Sequence, residues 1–197
     1  DTYIVGQGDF VSEAADSGID TVFASTDYVL GDTLEHLTLT GSGATSGVGN
    51  AQANRLAGNG ASNTLSGLSG NDSIRGEGGA DVIIGGLGTD TLAGGAGSDT
   101  FRFDSVADSM VGASDLIVDF ANGDRLDLSG IDAHTSTSGD QAFTQVSAFS
   151  GDAGQMTLTY NADMNRTTLS LDVDGDGMAD SAIQFIGNVS STDGWML

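Results

Sequence analysis

The chain has 197 residues, and its 28 acidic side chains against 5 basic ones give a formal net charge of −23. So acidic a surface excludes nucleic acid as a partner, because proteins bind phosphates with clustered Lys and Arg side chains. The chain has no cysteine, so disulfides cannot stabilise it, and no apolar stretch is long enough to predict a transmembrane segment. Repulsion among so many carboxylates opposes a compact fold unless cations neutralise part of the charge.

Short apolar runs separated by Asp, Gly and Ser predict strands in residues 1–48. The first five residues look like the end of a nine-residue unit with Asp1 at its sixth position, so we expect the chain to be a fragment of a longer protein. Leu30, Leu39 and Val48 are nine residues apart. This spacing predicts that residues 1–48 form irregular N-terminal coils of the repeat structure that follows.

Six nine-residue units follow one another without a gap in residues 49–102, and they read GNAQANRLA, GNGASNTLS, GLSGNDSIR, GEGGADVII, GGLGTDTLA and GGAGSDTFR. Each begins with glycine, has Asn or Asp at its sixth position and an apolar residue at its eighth, as in the calcium-binding β-roll pattern G-G-x-G-x-D-x-U-x. Glycine permits the positive φ angles that let loop carbonyls converge, and Ca²⁺ prefers hard oxygen ligands such as the sixth-position carboxylate. The eighth-position residues are expected to point inward: Leu56, Leu65, Ile74, Ile83, Leu92 and Phe101.

We therefore predict an all-β fold, with a right-handed parallel β-roll that binds several Ca²⁺ ions over residues 49–128. If two units make one turn, loops eighteen residues apart lie on the same side of the roll. Asp72 is then expected beside Asp90, and Asp81 beside Asp99. Carboxylates that close repel one another unless a cation lies between them. The first two units have Asn in place of Asp, which predicts weaker binding there.

The repeats and the segment that follows them resemble the RTX family of secreted bacterial proteins, which includes serralysin-type proteases, secreted lipases, alginate epimerases and adhesins. Four segments from the end of the last repeat onward look like the C-terminal region of serralysin-type proteins: 101–103, 108–109, 112–120 and 123–129. The resemblance implies that each ion binds between the loops of units n and n+2, through backbone carbonyls and two sixth-position aspartates. One implied site consists of Leu68, Gly70, Asp72, Gly85, Leu87 and Asp90. A second consists of Glu77, Gly79, Asp81, Gly94, Ala96 and Asp99.

The resemblance also implies calcium ligands after the repeats. Asp108 lies eighteen residues after Asp90, where the next stacked carboxylate is expected. Asp115 and Asp119 are further candidates. The alternative is that these two are charged residues at the ends of a strand over 116–120.

Residues 129–197 no longer repeat, and four strand-like runs predict a small antiparallel β cap: 143–149, 155–160, 167–173 and 181–186. We expect this cap to pack on the end of the roll and cover an edge that would otherwise invite aggregation. The last residues, 191–197, place an acid before an apolar run, which in secreted RTX proteins is typical of a type I export signal. The alternative is a last edge strand of the cap.

Four aspartates inside the cap form a second calcium candidate, because they stand at positions one, three, five and nine of a loop with glycine at six: Asp172, Asp174, Asp176 and Asp180. This spacing resembles the first part of an EF-hand loop. Ile183 stands where an EF-hand has its bidentate Glu, and both flanks read as strand. The alternative is an acidic hairpin turn without an ion.

The sequence contains no catalytic motif, and its two histidines, His36 and His134, lie about a hundred residues apart. We expect a non-catalytic module, although the parent protein can still be an enzyme. The favoured hypothesis is a calcium-binding RTX C-terminal module that folds on Ca²⁺ binding outside the cell and supports type I secretion of a larger extracellular protein. The alternative is a calcium-dependent carbohydrate-binding module, of the alginate-binding kind, attached to a polysaccharide-modifying enzyme.

Overall fold

The computed structural model describes residues 1–14, 18–135, 137, 139 and 141–197. The regular structure in this part is β-strand, apart from one turn of 3-10 helix at Val106–Asp108. The strands are β1 (Thr2–Val5), β2 (Thr21–Ala24), β3 (Tyr28–Val29), β4 (His36–Leu39), β5 (Ser46–Val48), β6 (Arg55–Ala57), β7 (Thr64–Ser69), β8 (Ser73–Arg75), β9 (Val82–Leu87), β10 (Thr91–Ala93), β11 (Thr100–Arg102), β12 (Leu116–Ile117), β13 (Arg125–Asp127), β14 (Thr144–Gln145), β15 (Gln155–Asn161), β16 (Arg166–Asp172) and β17 (Ser181–Ile186). The prediction of an all-β fold is confirmed.

The strands from β1 to β13 form a parallel β-solenoid with two sheets. One sheet has the order β1-β2-β4-β6-β8-β10-β12 and continues into the cap, and the other has the order β13-β11-β9-β7-β5-β3. Successive strands therefore alternate between the sheets from β2 onward, and two strands complete one turn. Leu56 pairs with Ile74, and Ile74 pairs with Leu92, so neighbours within a sheet are eighteen residues apart as predicted.

The eighth-position side chains form the centre of the solenoid, and each is at most 1 % exposed. Residues 1–48 add coils of unequal length to the same two sheets. Leu37 pairs with both Val22 and Leu56, so that adjacent turns here are 15 and 19 residues long. In β5 the buried position is Gly47, which pairs with Leu65, and Val48 beside it is half-buried. A Cβ on Gly47 would lie 3.0 Å from Leu37 Cδ2, so there is no room for a larger residue.

The turn after the last repeat is longer than the others. Leu92 pairs with Ile117 and Phe101 pairs with Leu126, which are spacings of 25 residues instead of eighteen. The seven additional residues include the 3-10 turn, which is capped by Ser105.

The cap continues the first sheet instead of forming a separate layer on the end of the roll. Strands β15, β16 and β17 form an antiparallel meander, and β17 pairs in parallel with β12. The predicted strand over 143–149 is limited to β14, which pairs in parallel with β15. It ends early because the chain turns back where Ser150 N–H donates to Gln155 Oε1 (2.8 Å).

Four aromatic side chains hold the cap and the C-terminal residues against the roll. Phe120 has its ring centroid 5.9 Å from Phe101, 5.1 Å from Phe185 and 5.9 Å from Trp195. Beside this cluster, Met196 pairs in parallel with a residue of β13. The final residues therefore lie along the second sheet of the solenoid and not at an edge of the cap. No helix in the described ranges is long and apolar enough to cross a membrane.

Candidate metal centre: two ladders of buried carboxylates

The residues directly before the strands of the first sheet form a ladder of backbone-to-carboxylate hydrogen bonds. Asn54 N–H donates to Asp72 Oδ1, Asp72 N–H to Asp90 Oδ1 and Asp90 N–H to Asp115 Oδ1, each at 2.7 Å. Parallel strands in register stack the residues that precede them, which is why these side chains line up. The predicted juxtaposition of Asp72 and Asp90 is confirmed.

The second sheet has an equivalent ladder. Asn63 N–H donates to Asp81 Oδ1 (2.7 Å), Asp81 N–H to Asp99 Oδ1 (2.9 Å) and Asp99 N–H to Asp124 Oδ1 (2.9 Å). Asp124 was not among the residues predicted from the sequence. Its signal is the buried Leu126 two residues later, because every ladder aspartate stands two residues before a buried apolar side chain.

The other carboxylate oxygen of five ladder residues has no hydrogen-bond donor among the described residues. These oxygens are Oδ2 of Asp72, Asp81, Asp90, Asp99 and Asp115, and their residues are at most 2 % exposed. A carboxylate is only an acceptor, and a buried anionic oxygen without a partner is costly. Either a proton or a cation is therefore required beside each of them.

A loop carbonyl approaches the same space as the unpartnered oxygen. A Cβ built on Gly67 would lie 2.1 Å from Asp72 Oδ2 and 2.6 Å from the carbonyl oxygen of Gly85. On Gly76 the corresponding distances are 2.2 Å to Asp81 Oδ2 and 2.5 Å to the Gly94 carbonyl. In each implied site, an aspartate oxygen and a glycine carbonyl thus converge beside the first glycine of a unit. A side chain at that glycine would fill the space between them.

The remaining implied carbonyl ligands lie in loops that are hydrogen-bonded directly to each other. Gly70 N–H donates to the carbonyl of Leu87 (2.9 Å), and Gly79 N–H donates to that of Ala96 (2.9 Å). The carbonyl of Glu77 accepts from Ala96 N–H (3.0 Å). A carbonyl has two lone pairs, so each of these oxygens can still accept a cation.

Residues Leu68 and Glu77 stand at the second position of their units with φ of 74°. The later units have glycine there, which suits this left-handed conformation better than a residue with a Cβ.

Burial raises the pKa of the ladder carboxyls well above the usual 3.8. The pKa rises to about 7 for Asp72, about 6 for Asp81 and Asp90, and about 8 for Asp115, and it is also raised for Asp99. The hydrogen bond from the neighbouring backbone N–H opposes this effect, and the charge of a nearby carboxylate adds to it, from Asp90 at Asp72 and from Asp108 at Asp90. In the absence of cations, the ladders are therefore partly protonated near neutral pH.

These pKa values predict how the stability of the cation-free chain depends on pH. A carboxyl whose pKa is higher in the folded state stabilises the fold fully below its unfolded pKa, and this contribution is lost as the pH rises through the folded value. In excess chelator, we expect the folded fraction of the chain to fall between about pH 4 and pH 8, so that the chain is a coil near neutral pH until Ca²⁺ is added. Far-UV circular dichroism in chelator at several pH values measures this fraction, and a rise in β-structure with pH over this range would contradict the prediction.

The prediction that Asp108 is the next stacked carboxylate after Asp90 is wrong. Asp115 takes that place, because the turn between them is longer by seven residues. Asp108 Oδ2 instead accepts from Asp104 N–H (2.8 Å) and Ser105 N–H (3.0 Å) at the 3-10 turn.

Asp119 lies in the loop that follows β12, beside the start of the last nine-residue unit. It accepts from Gly94 N–H and Gly95 N–H, both at 2.9 Å, at the first two positions of the last unit. Its role as a metal ligand stays a prediction.

The acidic loop of the cap brings together three of its four predicted residues. Asp172, Asp174 and Asp176 each have a carboxylate oxygen within 4.8 Å of the others. Asp172 is fully buried, but its two oxygens accept from Gly175 N–H (2.7 Å) and Gly177 N–H (3.1 Å). Asp180 accepts from Val173 N–H (2.8 Å) at the base of the hairpin. An acidic turn held by its own hydrogen bonds and a cation site both fit this geometry.

A parallel solenoid with a nine-residue phase and stacked aspartates defines an RTX-type β-roll module. The family model described as the peptidase M10 serralysin C terminal matches residues 10–196, and the chain belongs to this family. The matched model describes the C-terminal part of a peptidase. The resemblance to serralysin-type C-terminal domains is thereby confirmed.

Curated relatives match about half of the chain. The metallopeptidase AprA of Pseudomonas marginalis is 43 % identical over 94 residues, which are 47 % of this chain and 18 % of the relative. Serralysin C of Dickeya chrysanthemi is 37 % identical over 93 residues, again 47 % of this chain and 18 % of the relative. The chain thus matches less than a fifth of the length of these relatives.

Solved structures of similar fold are repeat subunits. The AlgE6R2 subunit of the mannuronan C5-epimerase from Azotobacter vinelandii matches 76 % of this chain and 91 % of its own, with 30 % identity and a TM-score of 0.58. The AlgE6R3 subunit of that enzyme matches 74 % of this chain and 78 % of its own, with 28 % identity and a TM-score of 0.57.

Proposed function

We propose that this chain is a calcium-binding module that folds on Ca²⁺ binding outside the cell and supports type I secretion and stability of a larger extracellular protein. The observation that carries the proposal is the set of five buried Oδ2 oxygens without a hydrogen-bond donor in the described part of the chain. They belong to carboxylates stacked at the spacing of neighbouring strands, about 4.8 Å. At an effective dielectric constant of 20, each such pair repels by about 3 kcal/mol.

A Ca²⁺ ion between successive loops would supply two positive charges beside these oxygens. Asp72 and Asp90 would hold one ion together with the Gly85 carbonyl, and Asp81 and Asp99 another with the Gly94 carbonyl. Asp115 and Asp124 extend the two ladders by one further step each. The chain itself holds the carboxylates in place by strand register and by the backbone N–H that binds each Oδ1.

Calcium-dependent folding follows from this charge balance. With a net charge of −23, the chain resists compaction where calcium is scarce. Extracellular calcium modules have a Kd of about 10⁻⁴–10⁻³ M, and each site occupied at a few times its Kd adds roughly 1 kcal/mol of stability. Several coupled sites then make folding a switch that operates on leaving a calcium-poor cytosol. Membership in a family of serralysin C-terminal regions supports export by a type I system, with any catalysis residing elsewhere in the parent protein.

Far-UV circular dichroism during a Ca²⁺ titration tests this proposal. Starting from excess chelator, we expect a cooperative transition from coil to β-structure as Ca²⁺ rises to about 10 mM, with Mg²⁺ at the same concentrations as the control. Mg²⁺ is not expected to replace Ca²⁺, because it demands a tighter octahedral geometry and keeps its water ligands. A chain that is fully folded in chelator and indifferent to Ca²⁺ would exclude the folding switch.

A second candidate function is calcium-dependent carbohydrate binding, which the structural likeness to mannuronan C5-epimerase subunits favours. An acidic surface would need calcium to bridge it to a polyanionic sugar, and the chain has a single Trp for stacking. A glycan array with and without Ca²⁺ separates the two candidates: calcium-dependent retention of an acidic glycan supports the second one. Its absence, together with a calcium-induced folding transition, leaves the first.

A further inference from the structure

A cleft of about 620 Å³ lies between the loop that precedes β13 and the segment that follows β17. Residues 120–125 form one wall, and residues 188–191 and 193–195 form the other. Sites for small molecules in proteins have volumes of roughly 300–1,000 Å³. Of the two aspartate ladders, only the last residue of the second one, Asp124, reaches this cleft.

Both walls of the cleft are fixed by hydrogen bonds. On one side, Asp124 Oδ2 accepts from Ala121 N–H (2.8 Å), and Asp124 N–H donates to the Ala121 carbonyl (3.1 Å), which closes the loop into a turn. On the other side, Met196 N–H donates to the Leu126 carbonyl (3.0 Å), and Leu128 N–H donates to the Met196 carbonyl (2.8 Å). The C-terminal wall is thus held along β13, and the cleft is formed before any ligand arrives.

An aromatic surface forms the apolar part of the cleft. Trp195 is half-buried and stacks on the fully buried Phe185, with ring centroids 5.9 Å apart and an angle of 24° between the rings. Phe120 meets the indole ring edge-on (5.9 Å, 85°) and lines the cleft beside it. The only tryptophan of the chain therefore presents a rigid flat surface to the cleft.

Hydrogen-bonding groups surround this aromatic surface. Arg125 is exposed, and its guanidinium has no hydrogen bond or ion pair with any described residue, although the chain has 28 acids and 5 basic residues. The amides of Asn122 and Asn188 are also exposed at the cleft, and each can both donate and accept. The carboxylates of Asp124 and Asp193 balance the charge of Arg125, so the cleft has no excess of positive charge.

The combination of an aromatic surface with both donors and acceptors indicates the ligand class. A neutral sugar ring has a flat apolar face of C–H groups and a rim of hydroxyls, each of which can donate and accept. An anionic sugar would meet two carboxylates against a single guanidinium. A purely apolar ligand would remove water from Arg125 and the two amides without replacing their hydrogen bonds.

We propose that this cleft binds a neutral saccharide, with one sugar ring stacked on Trp195 and its hydroxyls bound by Arg125, Asn122 and Asn188. The inference goes beyond the calcium-binding module, because it requires only that the chain is folded. It also differs from the second candidate function, since a neutral ligand needs no Ca²⁺ to bridge it to an acidic surface.

Tryptophan fluorescence tests this proposal directly, because the single Trp lies in the cleft. The probes are three neutral trisaccharides, cellotriose, mannotriose and galactotriose, added to the 197-residue chain under conditions in which circular dichroism shows it to be folded. At least one of them should change the emission in a saturable way. The same sugar should protect Trp195 from quenching by acrylamide.

Arg125→Gln should weaken this binding by about tenfold or more, the factor that corresponds to a lost hydrogen bond of a charged group. The side chain is exposed and unpaired in the described part of the chain, so we expect the variant to fold normally. The matched control is Arg55→Gln. Arg55 is also exposed and begins β6 directly before the buried Leu56, as Arg125 begins β13 directly before the buried Leu126. It lies outside the cleft, so the control should keep the affinity of the parent chain.

Unchanged emission with all three neutral sugars would overturn the proposal, and so would equal affinities in Arg125→Gln and Arg55→Gln. A response to an oligomannuronate alone, and only with Ca²⁺, would also overturn it and would support the second candidate function. The calcium titration by circular dichroism is decided separately. A chain that folds on Ca²⁺ binding but binds no neutral sugar keeps the module and loses the cleft, and a chain that binds the sugar but ignores Ca²⁺ does the reverse.

Discussion

Asp90→Asn is expected to raise the Ca²⁺ concentration at the folding midpoint by about tenfold or more. Asp90 lies in the middle of the first ladder, bound by Asp72 N–H on one side and donating to Asp115 Oδ1 on the other. Asparagine keeps the acceptor for Asp72 but lacks the negative charge that strengthens binding of a divalent cation. Calcium titrations at neutral pH, followed by circular dichroism, measure the shift.

In excess chelator the same variant should have at least the folded fraction of the parent chain, as measured by circular dichroism. It removes one charge from a row in which neighbours repel by about 3 kcal/mol. Asp90→Ala, in contrast, also leaves the buried N–H of Asp72 without an acceptor, which costs about 1–3 kcal/mol with or without calcium. Opposite effects of Asn in chelator and in calcium therefore distinguish a cation ligand from a structural hydrogen-bond acceptor.

The matched control for this experiment is Asp27→Asn. Asp27 is exposed, and its Oδ1 also accepts a backbone hydrogen bond across two coils, from Ser46 N–H (2.8 Å). The Asp27→Asn variant loses the same charge but leaves both aspartate ladders intact. The Ca²⁺ concentration at its folding midpoint should therefore stay close to that of the parent chain. An equal shift of the calcium midpoint in both variants would mean that net charge alone governs folding and that the ladder position of Asp90 does not matter.

Gly97→Ala is expected to destabilise the roll by about 2–5 kcal/mol, the sum of overpacking and backbone strain. Gly97 has φ of 154°, and a Cβ at this position would lie 1.5 Å from the carbonyl oxygen of Gly79. The clash is with backbone, so it can be relieved only by moving the two loops apart. Urea unfolding in saturating Ca²⁺ measures the loss.

Gly60→Ala is the control, because Gly60 belongs to the second repeat and has neither a positive φ nor any atom within 4 Å of the added Cβ. Replacing a flexible glycine at a compatible position stabilises a protein by about 0.4–1 kcal/mol. We therefore expect a small gain there. Similar losses in the two variants would show that the stacked loops are not as closely packed as described.

The repeat region could be predicted from the sequence because its nine-residue period determines which residues of successive coils lie beside one another. A nine-residue phase with two units per turn fixes which apolar side chains point inward and which aspartates are neighbours, and both follow from counting. The buried Ile74 and Ile83 and the stacked Asp81 and Asp99 are the direct result. The unpartnered Oδ2 oxygens could not be predicted, since they depend on how closely the loops approach.

The prediction failed where the period changes. Counting eighteen residues from Asp90 leads to Asp108, whereas the stacked residue is Asp115, because a parallel strand must regain register after an insertion of any length. A better guide is the local pattern of an aspartate two residues before a buried apolar side chain. That pattern finds both Asp115 and Asp124 without any assumption about spacing.

Register also explains why the nine-residue spacing does not select all the buried positions in residues 1–48. Leu30, Leu39 and Val48 are nine residues apart, but in β5 Gly47 is the residue that pairs with Leu65 and is buried. The coils of 15 and 19 residues around Leu37 keep the sheet register while abandoning the sequence period. Pairing between strands, and not distance along the chain, determines which side of each strand faces the core.

The pairing of β17 with β12 joins the cap to the last coil of the first sheet and offers an edge at which stacking of the coils can begin. The antiparallel meander of β15, β16 and β17 joins neighbours in sequence, so it closes short loops and can form early. Once formed, it presents β17 as a ready edge on which β12 can align, and β10 and β8 then add in turn. The C-terminal meander would then serve as a template: it would set the strand register of the first coil, and each further coil would pair in the same register.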